Sequence, residues 1–349
     1  MPANALASGL HYRRSMRGKA ICLALLAATL LVLLGVDILM GPANIEVHAL
    51  WQAIWQPNAV DPTIKVIVWQ LRLPQSLMAV VVVGALGLAG AEMQTVLNNP
   101  LASPFTLGVS SAAALGAALT LVFRWELPGL PTEYTLILSA FVFAGLCTFL
   151  LDLVARKARI GSAGIILFGI ALVFAFNALL SLVQLTASAT ALQDLLFWMM
   201  GSLARSSWSK LAIVTAALLV VLPFSMRNAW QLTALRFGDH RATSFGVDAQ
   251  SVRRNALLRV SLLAALAVAV VGVIGFIGLI APHMARRLWG EDHRWYLPAS
   301  VCIGAAILVG ASVLAKLIST HTLIPVGIVT TLVGIPFFML TLMRRPAGQ

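Results

Sequence analysis

The residues that could do chemistry in this chain are few and scattered. Cys22, Cys147 and Cys302 lie far apart in apolar stretches with no His or Asp at metal-ligand spacing. They read as small buried hydrophobes and not as a metal or redox site. His283, within Ala281-Pro-His-Met-Ala-Arg-Arg287, and His321 are single histidines, more in keeping with structural roles than with metal ligation. The sequence contains no P-loop, no HExxH and no nucleophile–base–acid set. The chain is therefore read as non-enzymatic and as binding no cofactor or metal of its own, so ATP-driven work would need a partner subunit. Glu92 is the acid taken to lie at depth in an apolar run. A carboxylate there marks a gate or translocation path by default, and the other reading is a structural acid that snorkels to the headgroups.

Those residues must be positioned by membrane helices. Of 349 residues, 60% are hydrophobic and only 10% are charged, against about 25% charged in a soluble domain. Too few charges remain to solvate a surface of this size in water. The net charge of +12 does not indicate nucleic acid, because the basic residues fall in short clusters between long apolar runs. Spans of about 20 apolar residues are expected at 20–40, 74–97, 107–123, 133–154, 162–184, 209–226, 257–273, 275–289, 297–315 and 325–343. The fold class is all-α and polytopic, with about ten transmembrane helices. The first run resembles a signal sequence but is long and lacks a convincing cleavage site, so it reads as an uncleaved span. Residues 257–289 read as a tight pair broken at Gly272, Gly275 and Gly278, with a re-entrant turn as the alternative.

Even parity places both termini on one side. With the N-terminus in the cytoplasm, 18 of the 24 basic residues fall on cytoplasmic segments, as the positive-inside rule requires. Lys65, Arg72, Arg124, Arg205, Lys210 and Lys316 fall elsewhere. All nine Trp residues lie in loops or near span ends, where interfacial belts form. Gly84, Gly87 and Gly90 line one span and permit close helix packing, or else border a substrate path.

The most informative water-exposed stretch is the loop at 226–257. Leu235, Ala242 and Phe245 form an apolar set bracketed by Gly238 and Gly246, with Asp239 placed to cap a short helix and Gly246 to end it. Such a helix suits docking into a groove of a cytoplasmic protein, or lying at the headgroups. Asn98-Asn-Pro-Leu-Ala-Ser-Pro104 is a rigid turn, since Pro100 and Pro104 block a continuous helix.

Four blocks together resemble the FecCD/BtuC-type permeases of ATP-binding-cassette (ABC) importers for iron–siderophore complexes, haem and cobalamin. The first runs from Leu71-Arg-Leu-Pro74 and Gly84–Gly90 through Gln94 and Asn99-Pro-Leu-Ala102 to Leu107-Gly-Val-Ser110. The second is Gly201-Ser-Leu203 with Trp208. The third is Gly238–Val247, continued by Gly275–His283 and Arg286-Arg287. The fourth is Pro325–Phe338. The resemblance implies a type II ABC importer permease, with residues 1–349 forming one transmembrane domain of the bacterial inner membrane. It implies a second permease subunit, identical or homologous, two cytoplasmic ATPase subunits that use ATP and Mg, and a periplasmic binding protein. On this reading Leu235, Gly238, Asp239, Ala242, Phe245 and Gly246 couple to the ATPase. Arg72 and Lys316 meet the binding protein, and Glu92, Gln94, Asn99 and Pro100 are path or gating candidates.

The sequence departs from that family's pattern at Gln75, Asn98, Glu92, Ser312 and Leu323. Ser312 and Leu323 stand where acids are usual, which alters the electrostatics expected near Lys316. The implied substrate is an iron(III)–siderophore, with haem or cobalamin as alternatives. An ion-coupled secondary transporter is the alternative from another class.

Overall fold

The computed structural model describes residues 2–41, 43, 45–157, 162–318 and 324–343, and all the regular structure among them is helical. Arg159, His321, Leu323, Arg344 and Arg345 lie outside the described residues. The helices are α1 (Pro2–Leu39), α2 (Val47–Trp55), α3 (Pro62–Val66), α4 (Leu73–Val96), α5 (Val109–Phe123), α6 (Thr132–Lys157) and α7 (Ser162–Leu185). They continue with α8 (Ala189–Met199), α9 (Trp208–Arg227), α10 (Ala229–Leu235), α11 (Asp239–Ser244) and α12 (Ala249–Val271). The last three are α13 (Ile277–Trp289), α14 (His293–Ile318) and α15 (Val326–Met343). A π-helical stretch, Ile67–Arg72, joins α3 to α4 without a break.

Seven helical segments are long and apolar enough to cross a bilayer. The ten expected spans are thus seven full-length helices and three shorter ones, α5, α13 and α15. The pair expected at 257–289 is unequal. α12 is full-length, but α13 has 13 residues, roughly 20 Å at 1.5 Å per residue, short of the roughly 30 Å of hydrocarbon. The break is at 272–276, where Gly272 and Phe276 take φ of +82° and +66°. Gly278 is helical and serves helix packing instead.

The core forms around α4. Its membrane-spanning window is 83% buried, whereas that of α1 is 6% buried, so α1 is a peripheral helix laid mainly on α14. α14, α12, α13 and α9 surround α4, and α5, α6 and α7 form a second layer beyond. The small residues of α4 explain this centrality. A Cβ added at Gly87 would lie 2.5 Å from the Ser300 carbonyl oxygen of α14, and one at Gly90 would lie 1.9 Å from that of Gly278 in α13. Without side chains in the way, dispersion contacts and helix dipoles act at short range, which lipid alone would not favour. The glycine stripe is packing surface on its whole length.

The Trp pattern divides. Trp51, Trp55, Trp125 and Trp230 are exposed near helix ends, but Trp198 and Trp289 are almost wholly buried. Trp289 donates its Nε1–H to the Lys19 carbonyl at 3.0 Å and fastens α1 to the bundle.

Candidate functional site

Two polar clusters stand at opposite ends of α4. The end that carries Arg227, Arg236, Arg241 and Arg253 is called the basic end below.

At the basic end, α10 and α11 form a short helical hairpin across the chain. Gly238, with φ +90°, occupies the N-cap position of α11. Asp239 does not cap the helix as expected. It lies in the first turn, and its carboxylate takes two hydrogen bonds from Arg253 at 2.9 and 3.1 Å. Gly246 ends α11 as expected: with φ +78° it lets Val247 N–H reach the Ala242 carbonyl and its own N–H reach that of Thr243, the paired bonds of a Schellman motif. Asp248 caps α12 through Gln250 and Ser251, and the Ser251 hydroxyl holds its carboxyl below the usual carboxylate range.

The apolar set on this segment is not the one the spacing implied. Leu235 and Ala242 face inward, 3% and 0% exposed, while Phe245 is 57% exposed. Phe245 packs against Trp230 and Phe237, with ring centroids 6.1 and 6.4 Å away, and both of those rings are also exposed. The outward apolar patch is therefore Trp230–Phe237–Phe245. Single-sequence reading missed it because Trp230 and Phe237 join Phe245 only once the chain has reversed at Gly238.

Beneath the hairpin lies the C-terminal part of α4. Glu92 does not snorkel. It is 1% exposed and accepts from Arg259 Nε at 3.1 and 3.0 Å through its two oxygens. The Nη2 of Arg259 is buried without a hydrogen-bond partner. Gln94 faces another neighbour, donating to the Leu279 carbonyl at 3.2 Å and accepting from Arg286 at 3.1 Å. Asn99 accepts from Leu101 N–H at 2.8 Å and holds the turn, with Pro100 beside it. These four candidates do not converge on one lumen: Glu92 serves the α4–α12 contact, Gln94 the α4–α13 contact, and Asn99 and Pro100 the turn.

Residues passed over in the sequence complete the junction. Glu291 pairs with Arg236 at the end of α10 and with Arg286 of α13. Arg286 also donates to the Tyr296 hydroxyl at 3.1 Å. His293 is fully buried, between Thr95 of α4 and Thr233 of α10. In the α13–α14 connection, Asp292 bonds to Arg294, which holds its carboxyl below the usual range.

At the opposite end, Arg72 and Lys316 are not on an open surface. Arg72 is 4% exposed and donates to the carbonyls of Ile38 and Leu39 at 3.0 and 2.9 Å. Lys316 pairs with Asp37 at 2.8 Å, and Ser76 donates to the other Asp37 oxygen. Asp37, a fully buried acid of α1, thus supplies the negative charge beside Lys316. It also corrects the view of Glu92 as the one acid at depth; the signal was an aspartate inside the first apolar run. Among the described residues, no group of three or more His, Cys, Asp or Glu side chains is arranged to hold a metal ion.

A long α4 packed at glycine contacts, a broken α12–α13 pair and a hairpin seated on the basic end define a polytopic, all-helical membrane protein. The chain belongs to the FecCD transport family, which it matches over residues 25–344. It is similar to the hemin transport system permease protein HmuU of Yersinia pestis, at 34% identity over 92% of this chain and 96% of that protein. The vitamin B12 import system permease protein BtuC of Vibrio cholerae is 33% identical over 80% and 83% of the two chains. For the Fe(3+)-citrate import system permease protein YfmE of Bacillus subtilis the values are 35%, 93% and 96%. Among solved structures, an inward-facing metal-chelate type ABC transporter aligns with TM-score 0.82 and 29% identity, covering 93% of this chain and all of that one.

Proposed function

We propose that this chain is the permease subunit of an ATP-driven importer that carries a metal chelate, an iron(III)–siderophore in the first instance, across the bacterial inner membrane by alternating access. The observation that carries the proposal is the hairpin α10–α11, an exposed Trp230–Phe237–Phe245 patch rigidly joined to the buried end of the central helix, in a member of a transport family. A patch of this kind suits a groove on a cytoplasmic protein, and in this reading the groove belongs to an ATPase subunit. The basic end then faces the cytoplasm with both termini, as the charge bias favours. Leu235 and Ala242 hold the hairpin from within, Gly238, Asp239 and Gly246 shape its turns, and Phe245 makes contact.

Two permease subunits, two ATPase subunits and a periplasmic binding protein complete the machine. The binding protein docks on the face above α2 and the α3–α4 junction, where Arg72 and Lys316 act as buried supports rather than as exposed contacts. Haem or cobalamin is the second reading, favoured by the likeness to HmuU and BtuC. Uptake of ferric hydroxamate, ferric citrate, haemin and cobalamin by cells with and without the gene decides between them. Loss of an iron chelate alone, restored by the gene, supports the first reading. Loss of haemin or cobalamin alone selects the second, and no change for any of the four refutes both.

A further inference from the structure

The hairpin is tied to the central helix at one turn, and the tie contains a buried histidine. Thr233 lies in α10 and Thr95 in the last two turns of α4. Between them stands His293, the first residue of α14 and fully buried. Its Nε2 is 2.7 Å from the Thr95 hydroxyl and its Nδ1 is 3.0 Å from the Thr233 hydroxyl. Its main-chain N–H also reaches Thr233, at 3.2 Å.

Each hydroxyl can give its proton either to the ring or to the carbonyl one turn back. A hydroxyl has one proton to give. When that of Thr95 goes to the Ala91 carbonyl at 2.8 Å, Thr95 accepts from the ring and Nε2 carries the hydrogen. A neutral ring then accepts at Nδ1, and Thr233 turns its proton there or toward the Ala229 carbonyl, 2.8 Å away. The ring thus stands within hydrogen-bond reach of two different helices, one at each nitrogen. Tyr296 braces it edge-on, with centroids 5.1 Å apart. Apolar side chains between α10 and α4 would let the helices slide, because dispersion contacts are exchanged easily. Hydrogen bonds weaken steeply with distance and angle, so this contact transmits displacement or breaks.

A second link arrives at the same turn. Arg253 binds Asp239 at the start of α11 and also donates to the Val96 carbonyl at 2.9 Å. Both halves of the hairpin are therefore fastened to adjacent residues, Thr95 and Val96, one turn beyond Glu92.

We propose that His293 is the positioning residue through which movement of the α10–α11 hairpin is carried into α4. The proposal rests on the ATPase-coupled reading above. It is tested in proteoliposomes holding the whole complex, with uptake of haemin, cobalamin, ferric citrate and a ferric hydroxamate measured per ATP hydrolysed. Thr95→Val and Thr233→Val keep side-chain shape and cut the ring's link to α4 and to α10 respectively, Thr233→Val also removing the bond from the His293 main-chain N–H, so they remain informative if His293→Ala fails to fold. Each is expected to lower uptake per ATP by about fivefold or more, the scale of a modest coupling energy, while ATP hydrolysis continues. Because the two bonds lie in series, the double variant falls no further than the worse single one. His293→Gln, whose side-chain amide can donate and accept, retains more coupling than His293→Ala. Unchanged uptake per ATP in both threonine variants, or effects that multiply, overturns the proposal and leaves His293 a packing residue. A wild-type complex with no ATP-driven uptake removes the underlying reading, and the link with it.

Discussion

Replacing Glu92 by Leu in α4 strands the Arg259 guanidinium in the bundle. The pair is closed to solvent, with Glu92 1% exposed and the Arg259 side chain 12%, and Arg259 already has one buried nitrogen without a partner. Breaking a buried pair from one side costs about 3–5 kcal/mol, which is about two to four decades in a folding equilibrium. Removing both charges with Glu92→Leu and Arg259→Met removes the desolvation cost as well. Such replacements are neutral or stabilising by about 1–4 kcal/mol. The expected order of stability is therefore double variant at or above wild type, and each single variant far below. Unfolding of purified protein in mixed detergent micelles measures the order, and uptake into proteoliposomes measures the function. If the acid only joins helices, the double variant transports near the wild-type rate. A stable double variant that cannot transport would refute this reasoning and make Glu92 a working acid, as an ion-coupled carrier requires.

Three further outcomes follow from single contacts. Gly90→Ala drives a Cβ into the Gly278 carbonyl, so it should cost at least the ~1–3 kcal/mol of overpacking and lower folded yield; wild-type yield would contradict the packing role of the stripe. Phe245→Asp should lower ATPase co-purification while thermal stability holds, whereas Ala242→Asp, at a fully buried site, should lower stability itself; equal behaviour of the two would mean that the outward patch is not the contact. Arg72→Glu places a carboxylate against two carbonyls and near Asp37, so folded yield should drop; normal yield with slowed binding-protein docking would return Arg72 to a surface role.

The fold was largely legible because lipid imposes a strong constraint. Apolar runs of span length became helices, Gly84, Gly87 and Gly90 became contact surface, and Gly246 ended α11. The site was less legible, and for a physical reason. Asp37, Lys316 and Ser76 come from α1, α14 and α4, and Thr95, Thr233 and His293 from α4, α10 and α14. No spacing rule links residues 60 or 198 positions apart. Charge clusters located the basic end, but the number of neighbours around Arg72 could not be read from its place at a span end. The short α13 was expected at 275–289 from the glycines, but the left-handed turn at Phe276 was not, since nothing in a bulky residue's type marks a positive φ.

The most direct test of the account is to reconstitute the chain with its ATPase and binding-protein partners and ask what drives uptake of the chelate that cells lose without the gene. Accumulation is expected to require ATP on the side of the hairpin and to persist when proton and sodium gradients are collapsed. Accumulation driven by either gradient without ATP, or by the chain in the absence of an ATPase subunit, would contradict it.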